Sequence, residues 1–301
     1  MPCNTIFATK KMLYLILSIL SSVIILIIFK VTEKYEIPVI HPIIINYFIA
    51  SAFGFFNAGL TPADVANIPL SWVWPAAVIG SIFVFTFFLI GLSTRKAGIA
   101  LTTVASKMSF VFPMFFSILI DDNDHYSTTK LILLIMAIVA VFLTVFKKRR
   151  KSIESLFIML LPAMLFVLLG LADSLIKFSQ TFYIKNPNAS STFSFLLFGF
   201  SAFWSVVLIF FQKNRLTILK PKALISGTLL GLANFGSLFF LINALNALLI
   251  NNSIVIALNN TGVVLTSVII ALWFFREKVS LLNKIGIMLS IVTFVVLMVF
   301  L

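Results

Sequence analysis

Long apolar runs separated by short polar segments make up most of the chain. A helix needs roughly 20 apolar residues to cross a bilayer, and charged residues, Pro, Gly and Asn divide this sequence into runs of that size. In the first half the runs lie at 12–29, 40–58, 72–92, 97–120 and 128–146. In the second half they lie at 156–182, 192–211, 223–242, 253–275 and 281–301. The pattern predicts an all-α integral membrane protein with ten transmembrane helices.

Composition excludes a water-soluble globule. Of the 301 residues, 61% are hydrophobic and only 10% are charged, which is too little charge to cover a soluble core of this size. The run at 12–29 is longer than the apolar region of a signal peptide and lacks a small-x-small cleavage site, so we expect it to be the first membrane helix. Cys3 is the single cysteine, which excludes an intrachain disulfide and a cysteine-based zinc site.

The formal net charge of +13 comes from basic residues that lie mostly between the apolar runs. Because little of the chain lies outside the bilayer and no aromatic residues interleave the basic cluster at 147–151, nucleic-acid binding is not predicted. About sixteen basic residues lie in the loops of one side, and about four (Lys10, Lys11, Lys130 and Lys185) lie on the other. Lys and Arg in short loops stay in the cytoplasm. Ten helices then place both termini outside it, and one miscounted helix would move one terminus.

The ends of the two halves are similar at an offset of about 152 residues. Residues 87–90 (Phe-Phe-Leu-Ile) correspond to 239–242, and Lys107 falls opposite Asn259 and Asn260. Each half, 1–150 or 151–301, has an odd number of helices, so the second half enters the membrane from the opposite side. The sequence therefore predicts two inverted five-helix repeats. Such repeats can open a midplane cavity to one side and then to the other.

The last two runs have a distinctive order of features. A polar midpoint at Asn259 and Asn260 is followed by an aromatic helix end and Arg-Glu-Lys within 273–278, and then by a final helix that contains Gly286. Further elements of the same pattern lie at 231–234, at 105–109 and at Pro113.

This ordered set, spread over nearly the whole chain, resembles the drug/metabolite transporter superfamily, and within it the ten-helix proteins built from two EamA-type domains. In the first repeat, 121–125 replaces the Gly-Glu-Arg type of turn, which leaves the role of that turn's Glu open there. The resemblance implies a multi-pass protein of the bacterial inner (plasma) membrane. It also implies secondary transport or exchange of a small organic solute, such as an amino acid, a nucleotide-linked sugar or a drug.

The sequence leaves several properties of such a transporter open. These are the solute, import against efflux, the coupling ion, and a monomer against a homodimer. A lipid or lipid-linked carrier of the same fold is the alternative. An intramembrane enzyme is disfavoured because there is no His-Glu-x-x-His helix, Asp173 has no second buried Asp, and His41 and His125 lie at predicted helix ends. No cofactor or metal is expected.

Lys107 lies near the centre of the run at 97–120. A Lys at that depth costs on the order of 2.5 to 3.5 kcal/mol on insertion scales, so it requires a partner or water. In a functional role it would line the central cavity and attract an anionic or carboxylate-bearing solute, or exchange a proton with an acidic neighbour. The alternative is a structural ion pair between helices.

Asp173 is a carboxylate well inside the sixth run, and Lys177 and Gln180 follow it on the same helical face. This face is expected to point inward. One explanation is a local pair between Asp173 and Lys177. The other is that Asp173 pairs with Lys107 across the two halves in one state and releases it in another, which would couple charge to opening.

Four asparagines lie within apolar runs, namely Asn46, Asn234, Asn259 and Asn260. An amide in lipid must bond to another helix, to water or to a ligand. Packing accounts for any single one, whereas the adjacent Asn259 and Asn260 are the better candidates for the cavity. Ser18, Ser21 and Ser22 are interpreted as helix-packing residues. Together the charged and amide residues are expected to converge where the two halves meet.

Overall fold

The structure, a computed structural model, describes residues 2–120, 127–146, 153–183, 187–211, 215–247 and 252–300. The boundary between the halves at 150/151, the basic cluster at 147–151 and the turn at 121–125 lie outside the described residues. Within the described part the helices are α1 (Pro2–Lys34), α2 (Ile40–Asn57), α3 (Pro62–Ala66), α4 (Leu70–Lys96), α5 (Ile99–Met108), α6 (Val111–Ile120), α7 (Thr128–Val145), α8 (Ile153–Phe182), α9 (Pro187–Ile209), a 3₁₀ helix (Arg215–Leu219), α10 (Pro221–Ala247), α11 (Asn252–Trp273) and α12 (Leu281–Phe300).

The described residues contain ten segments that are long and apolar enough to cross a membrane, as the sequence predicts. Nine are single helices, and the fourth consists of α5 and α6 together. Every segment exposes large apolar side chains, for example Phe85 on α4, Ile225 on α10 and Met288 on α12. Because such side chains would face water in a soluble fold, their place on every segment indicates a multi-pass membrane protein.

The fourth span is broken near its middle, where the sequence predicts one continuous helix. α5 ends at Met108 and α6 begins at Val111. Pro113 has no N–H to donate to the carbonyl of Ser109, and its ring crowds that carbonyl. The backbone instead closes a tighter turn, in which the N–H of Phe112 donates to Ser109 at 3.0 Å.

Close helix pairs form the centre of the bundle. α1 packs against α10 and α11, α2 packs against α9 and α10, and α4 packs against α8 and α9. The Ser18 hydroxyl donates to the Ser237 carbonyl at 2.9 Å across α1 and α10, and the Ser201 hydroxyl donates to the Gly80 carbonyl at 3.1 Å across α9 and α4. Backbones that approach this closely are typical of membrane helix interfaces.

One end of the bundle carries many of the basic side chains. The Arg95 guanidinium at the end of α4 donates to the Ile37 carbonyl and to the Thr32 hydroxyl, each at 2.8 Å. The Lys222 ammonium at the start of α10 lies 4.5 Å from the centroid of the Tyr35 ring. These contacts bring together the ends of α1 and α4 and the start of α10. We call this the basic end, and we call the other the opposite end.

The loop between α2 and α4 contains the short helix α3 at the opposite end. Thr61 and Asp64 form a capping box, in which the Asp64 carboxylate accepts from the Thr61 N–H at 2.8 Å and from its hydroxyl at 2.6 Å. These hydrogen bonds to the Thr61 side chain and backbone lower the pKa of the exposed Asp64 carboxyl.

Candidate functional site

A central cavity lies between the spans of the two halves. It has two adjoining lobes of about 270 and 220 Å³, which share eight lining residues. Its walls come from α1, α2, α4, α5, α8, α9, α10 and α11. The shared residues are Ser22, Phe87, Ile90, Lys107, Leu169, Asp173, Asn234 and Ser237.

Lys107 occupies the last turn of α5, immediately before the break in the fourth span. Its side chain is only partly buried because it faces the cavity, and Ser106, Ser109 and Phe110 line the same lobe. Within the described residues no hydrogen bond to the Lys107 ammonium is found, and its charged neighbour is Asp173. Non-helical backbone at membrane depth occurs where it lines a cavity, and in transporters broken helices commonly form the binding site.

Asp173 faces Lys107 from α8. Gly170, one turn earlier, packs directly on the ring of Phe112, so α8 lies close to the start of α6. The Asp173 carboxylate interacts with the Lys107 charge and with the Ser109 hydroxyl. Among the described residues no salt bridge within 4.0 Å joins Lys107 to Asp173. The two charges therefore share one cavity without direct pairing.

Amide groups complete the polar wall on the side of the second half. Asn234 on α10 borders both lobes, while Asn260 borders one lobe and Asn259 the other. The Asn234 Nδ2 and Asn259 Oδ1 atoms are buried and make no hydrogen bond within the described residues, and the same holds for the Thr86 hydroxyl on α4. Asn234, Asn259 and Thr86 thus border the cavity, and each has a buried polar atom that makes no hydrogen bond within the described residues.

The remaining candidates from the sequence lie elsewhere. Asn46 is fully buried in α2, and its backbone carbonyl lies beside Gly231 of α10. It is not among the residues that line the central cavity. Lys177 is half-buried one turn beyond Asp173, is not a lining residue, and has an interaction of its own. The side chain of Gln180 lies outside the described residues. Of the three α8 residues predicted to face inward, Asp173 therefore lines the cavity and Lys177 does not, while the side chain of Gln180 is not described.

Several residues that line the cavity were not predicted from the sequence. Ser22, which was interpreted as packing, borders both lobes, and so does Ser237. Ser106, Ser109 and Thr86 line one lobe each. Hydroxyls in membrane helices usually bond to their own helix's carbonyls, as Ser106 does to Thr103 at 2.9 Å, so their presence alone carries little signal. Their spacing around Lys107, together with Pro113, was the signal that could have found them.

A third cavity of about 220 Å³ extends the site toward the opposite end. It shares Phe198 and Leu238 with the second lobe and reaches Asn57 and Asn243, near the ends of α2 and α10. Asn57 is exposed. Neighbouring cavities that share lining residues therefore lie between Lys107 and Asp173 and the exposed Asn57 at the opposite end.

At the basic end the two halves are fastened together. Glu277, just after α11, accepts from the N–H groups of Ile99 at 2.8 Å and Ala100 at 3.3 Å, which begin α5. A carboxylate at a helix N-terminus satisfies free N–H groups and the positive end of the helix dipole. Gly98 permits the contact because its φ is 106° and because a Cβ there would lie 2.7 Å from the Glu277 carboxylate.

A metal site does not emerge from the described ranges, where no three or more His, Cys, Asp or Glu side chains form a group that could hold a metal ion. The polar chemistry of the cavity consists of one ammonium, one carboxylate, amides and hydroxyls. Such a set can bind an ionic or hydrogen-bonding solute.

No protein-family model matches the chain. The chain is 26% identical over 283 residues to an uncharacterized protein of Haemophilus influenzae, and the match covers 92% of this chain and 94% of that protein. A solved crystal structure is similar over 96% of this chain and 98% of its own, with a TM-score of 0.59 at 14% sequence identity. The likeness to that structure establishes a shared fold over nearly the whole chain.

Proposed function

We propose that the chain is a secondary transporter that moves a small organic solute across a membrane by alternating access. The observation that carries the proposal is the central cavity, in which Lys107 and Asp173 meet amides from the second half beside a broken helix. Ionisable groups inside a membrane are costly and typically mark a solute or ion pathway. The sequence resemblance described above extends the proposal to membership of the EamA-type transporters.

Helix packing supports two inverted repeats, 1–150 and 151–301. If each span is exchanged for the fifth one along the chain, the pair α1 with α10 becomes α8 with α4, and the pair α2 with α10 becomes α9 with α4. Gly80 brings α4 against α9, and Gly231 brings α10 against α2. Halves that share one packing pattern can exchange conformations around a common cavity.

The two ends of the cavity support alternating access. At the basic end Glu277 fastens the second half to the start of α5. Toward the opposite end the cavities continue as far as Asn57. This asymmetry is expected of one of two states, open to one side and closed to the other.

The basic end supports an orientation. Because Lys and Arg are retained in the cytoplasm, the basic end is the cytoplasmic one, and the cavity faces outward. The membrane proposed is the bacterial plasma membrane. Whether the transporter works in import or efflux depends on the gradients that drive it.

Reconstitution into liposomes tests this function. We expect saturable uptake of at least one solute from a panel of labelled amino acids and nucleotide sugars, relative to protein-free vesicles. Lys107→Met should reduce that uptake at least about tenfold because it removes the cation from the cavity. Lys34→Met, at an exposed position near the end of α1, is the matched control and should transport normally.

The lipid-carrier alternative predicts a different result in the same vesicles. A fluorescent phospholipid would then exchange between leaflets in protein-containing vesicles only, and no soluble solute would accumulate. Vesicles in which neither a solute nor the lipid moves would contradict transport altogether.

A further inference from the structure

We infer that the central cavity binds a small zwitterion with an apolar substituent, whose carboxylate lies at Lys107 and whose ammonium lies at Asp173. This inference rests on the proposed transport function and narrows its substrate class. It follows from how the charged, polar and apolar groups are distributed around the two lobes.

The cavity contains two opposite charges that are not directly paired. Lys107 on α5 and Asp173 on α8 line both lobes, and among the described residues no salt bridge within 4.0 Å joins them. Charges enclosed in protein are stable only when they are paired or well solvated. A solute with one negative and one positive group, inserted between the two side chains, pairs both and adds no net charge to the membrane interior.

The two opposite charges of the cavity disfavour solutes that carry only one charge. A solute with only a carboxylate would leave Asp173 unpaired and add repulsion to it, and a solute with only an ammonium would do the same to Lys107. An enclosed charge without a partner is strongly unfavourable, so each single-charge solute is disfavoured by the group that it fails to satisfy. The cavity therefore discriminates by the presence of both charges.

Neutral polar groups of the second half lie beside the two charges. The side-chain amides of Asn234 and Asn259 line the cavity, and each amide offers both a donor and an acceptor. An amide N–H suits a carboxylate oxygen, and an amide oxygen suits an ammonium. The second half thus supplies one neutral group for each charge of the zwitterion.

The lining and the size of the lobes restrict the uncharged part of the solute. Phe83, Phe87, Phe198 and Leu241 line the second lobe, which is therefore largely apolar. Each lobe is smaller than the roughly 300 Å³ at which drug-sized pockets begin, at about 270 and 220 Å³. An apolar substituent of a few carbons or a single ring fits this space.

Two matched sets of compounds test the inference with purified protein. Leucine is compared with isoamylamine, which lacks the carboxylate, and with isocaproate, which lacks the amine. Phenylalanine is compared in the same way with phenethylamine and hydrocinnamate. We expect concentration-dependent thermal stabilisation by at least one zwitterion, with each of its single-charge analogues binding at least about tenfold more weakly.

Variants assign the two charges. Lys107→Met should remove the preference for the zwitterion over its amine analogue, and Asp173→Asn should remove the preference over its acid analogue. Lys34→Met, and Asp64→Asn in the loop at the opposite end, are the controls and should keep the wild-type order of affinities. Each variant is first compared with the parent by gel filtration and thermal unfolding, and only variants that elute as the parent does enter the comparison.

If one of the variants does not fold, the wild-type compound series still decides the question. Equal binding of a zwitterion and one of its single-charge analogues would overturn the inference, and so would stabilisation by no zwitterion of either set. Saturable transport of a different solute class in the vesicle assay would then preserve transport while excluding the zwitterion. If the vesicles moved no solute at all, the proposed function itself would fail.

Discussion

Polar residues inside this bundle belong to two groups that the sequence alone does not separate. Asn234 faces the central cavity, whereas Asn46 is packed between α2 and α10. Both have buried amide atoms that make no hydrogen bond within the described residues. The two residues differ in their surroundings, because Asn234 lines the cavity and Asn46 packs against a neighbouring helix.

Replacing each asparagine by leucine should separate these roles. Asn234→Leu should weaken solute binding about tenfold with little change in thermal stability, because the lost groups face the solute. Asn46→Leu should leave affinity unchanged and keep or raise the melting temperature, since it removes a buried amide without partners. Affinity and thermal unfolding of both variants check this, and the reverse pattern would place the binding site at Asn46.

Charged residues at membrane depth were the part of the site easiest to predict from the sequence. Lys107 and Asp173 stand out because few ionisable residues interrupt the apolar runs, and such residues are rarely accidental. The hydroxyls of Ser22 and Ser106 were not predicted, since Ser is common in membrane helices and usually bonds to its own backbone. Which face of a helix lines a cavity depends on tertiary packing, which a single sequence does not specify.

Among the elements, α5 combines a cavity residue at one end with a contact to the second half at the other. Its last turn carries Lys107 at the cavity, and the N–H groups of its first turn donate to the Glu277 carboxylate of the second half. A helix fastened at one end and broken at the other can move as a unit against α6. The contact at Glu277 is therefore placed to hold the basic end closed.

Glu277→Gln should loosen this contact. An amide oxygen can still accept one hydrogen bond, but the amide NH₂ group would face a backbone N–H and the charge at the helix N-terminus is lost, at a cost of roughly 1 to 3 kcal/mol. We expect a melting temperature lower by several degrees than that of the parent. Glu36→Gln, at an exposed loop glutamate, is the control. Equal melting temperatures for the two variants would mean that the Glu277 contact does not stabilise the attachment of the second half to the start of α5.

The helices were largely predictable from the sequence, and the exceptions have physical causes. Apolar runs define the ten spans because lipid requires each backbone polar group to bond within its own helix. α1 and α4 continue past the predicted runs to Lys34 and Lys96, since helices persist into the interfacial region where basic side chains are solvated. The break at Ser109 was missed because hydropathy remains high across it, although Pro113 marks the position.

In the molecule as a whole, two halves meet around one cavity. The paired packing of α1 with α10 and of α4 with α8 supports this symmetry, while the Glu277 contact at the basic end and the cavity at Asn57 distinguish the two sides. A cavity with one closed end is expected to exchange with a state in which the other end is closed. Access to the cavity from the two ends is therefore expected to be reciprocal.

A single engineered cysteine measures that access most directly. Cys3 is the single cysteine, so Cys3→Ser gives a cysteine-free background, and Ser237→Cys then places a thiol where both lobes meet. Labelling by a membrane-impermeant thiol reagent is followed from each side of oriented vesicles, with and without Glu277→Gln. Alternating access predicts faster labelling from the basic end and slower labelling from the opposite end in the Glu277→Gln variant. Labelling that rises from both sides, or that changes from neither, would contradict alternating access.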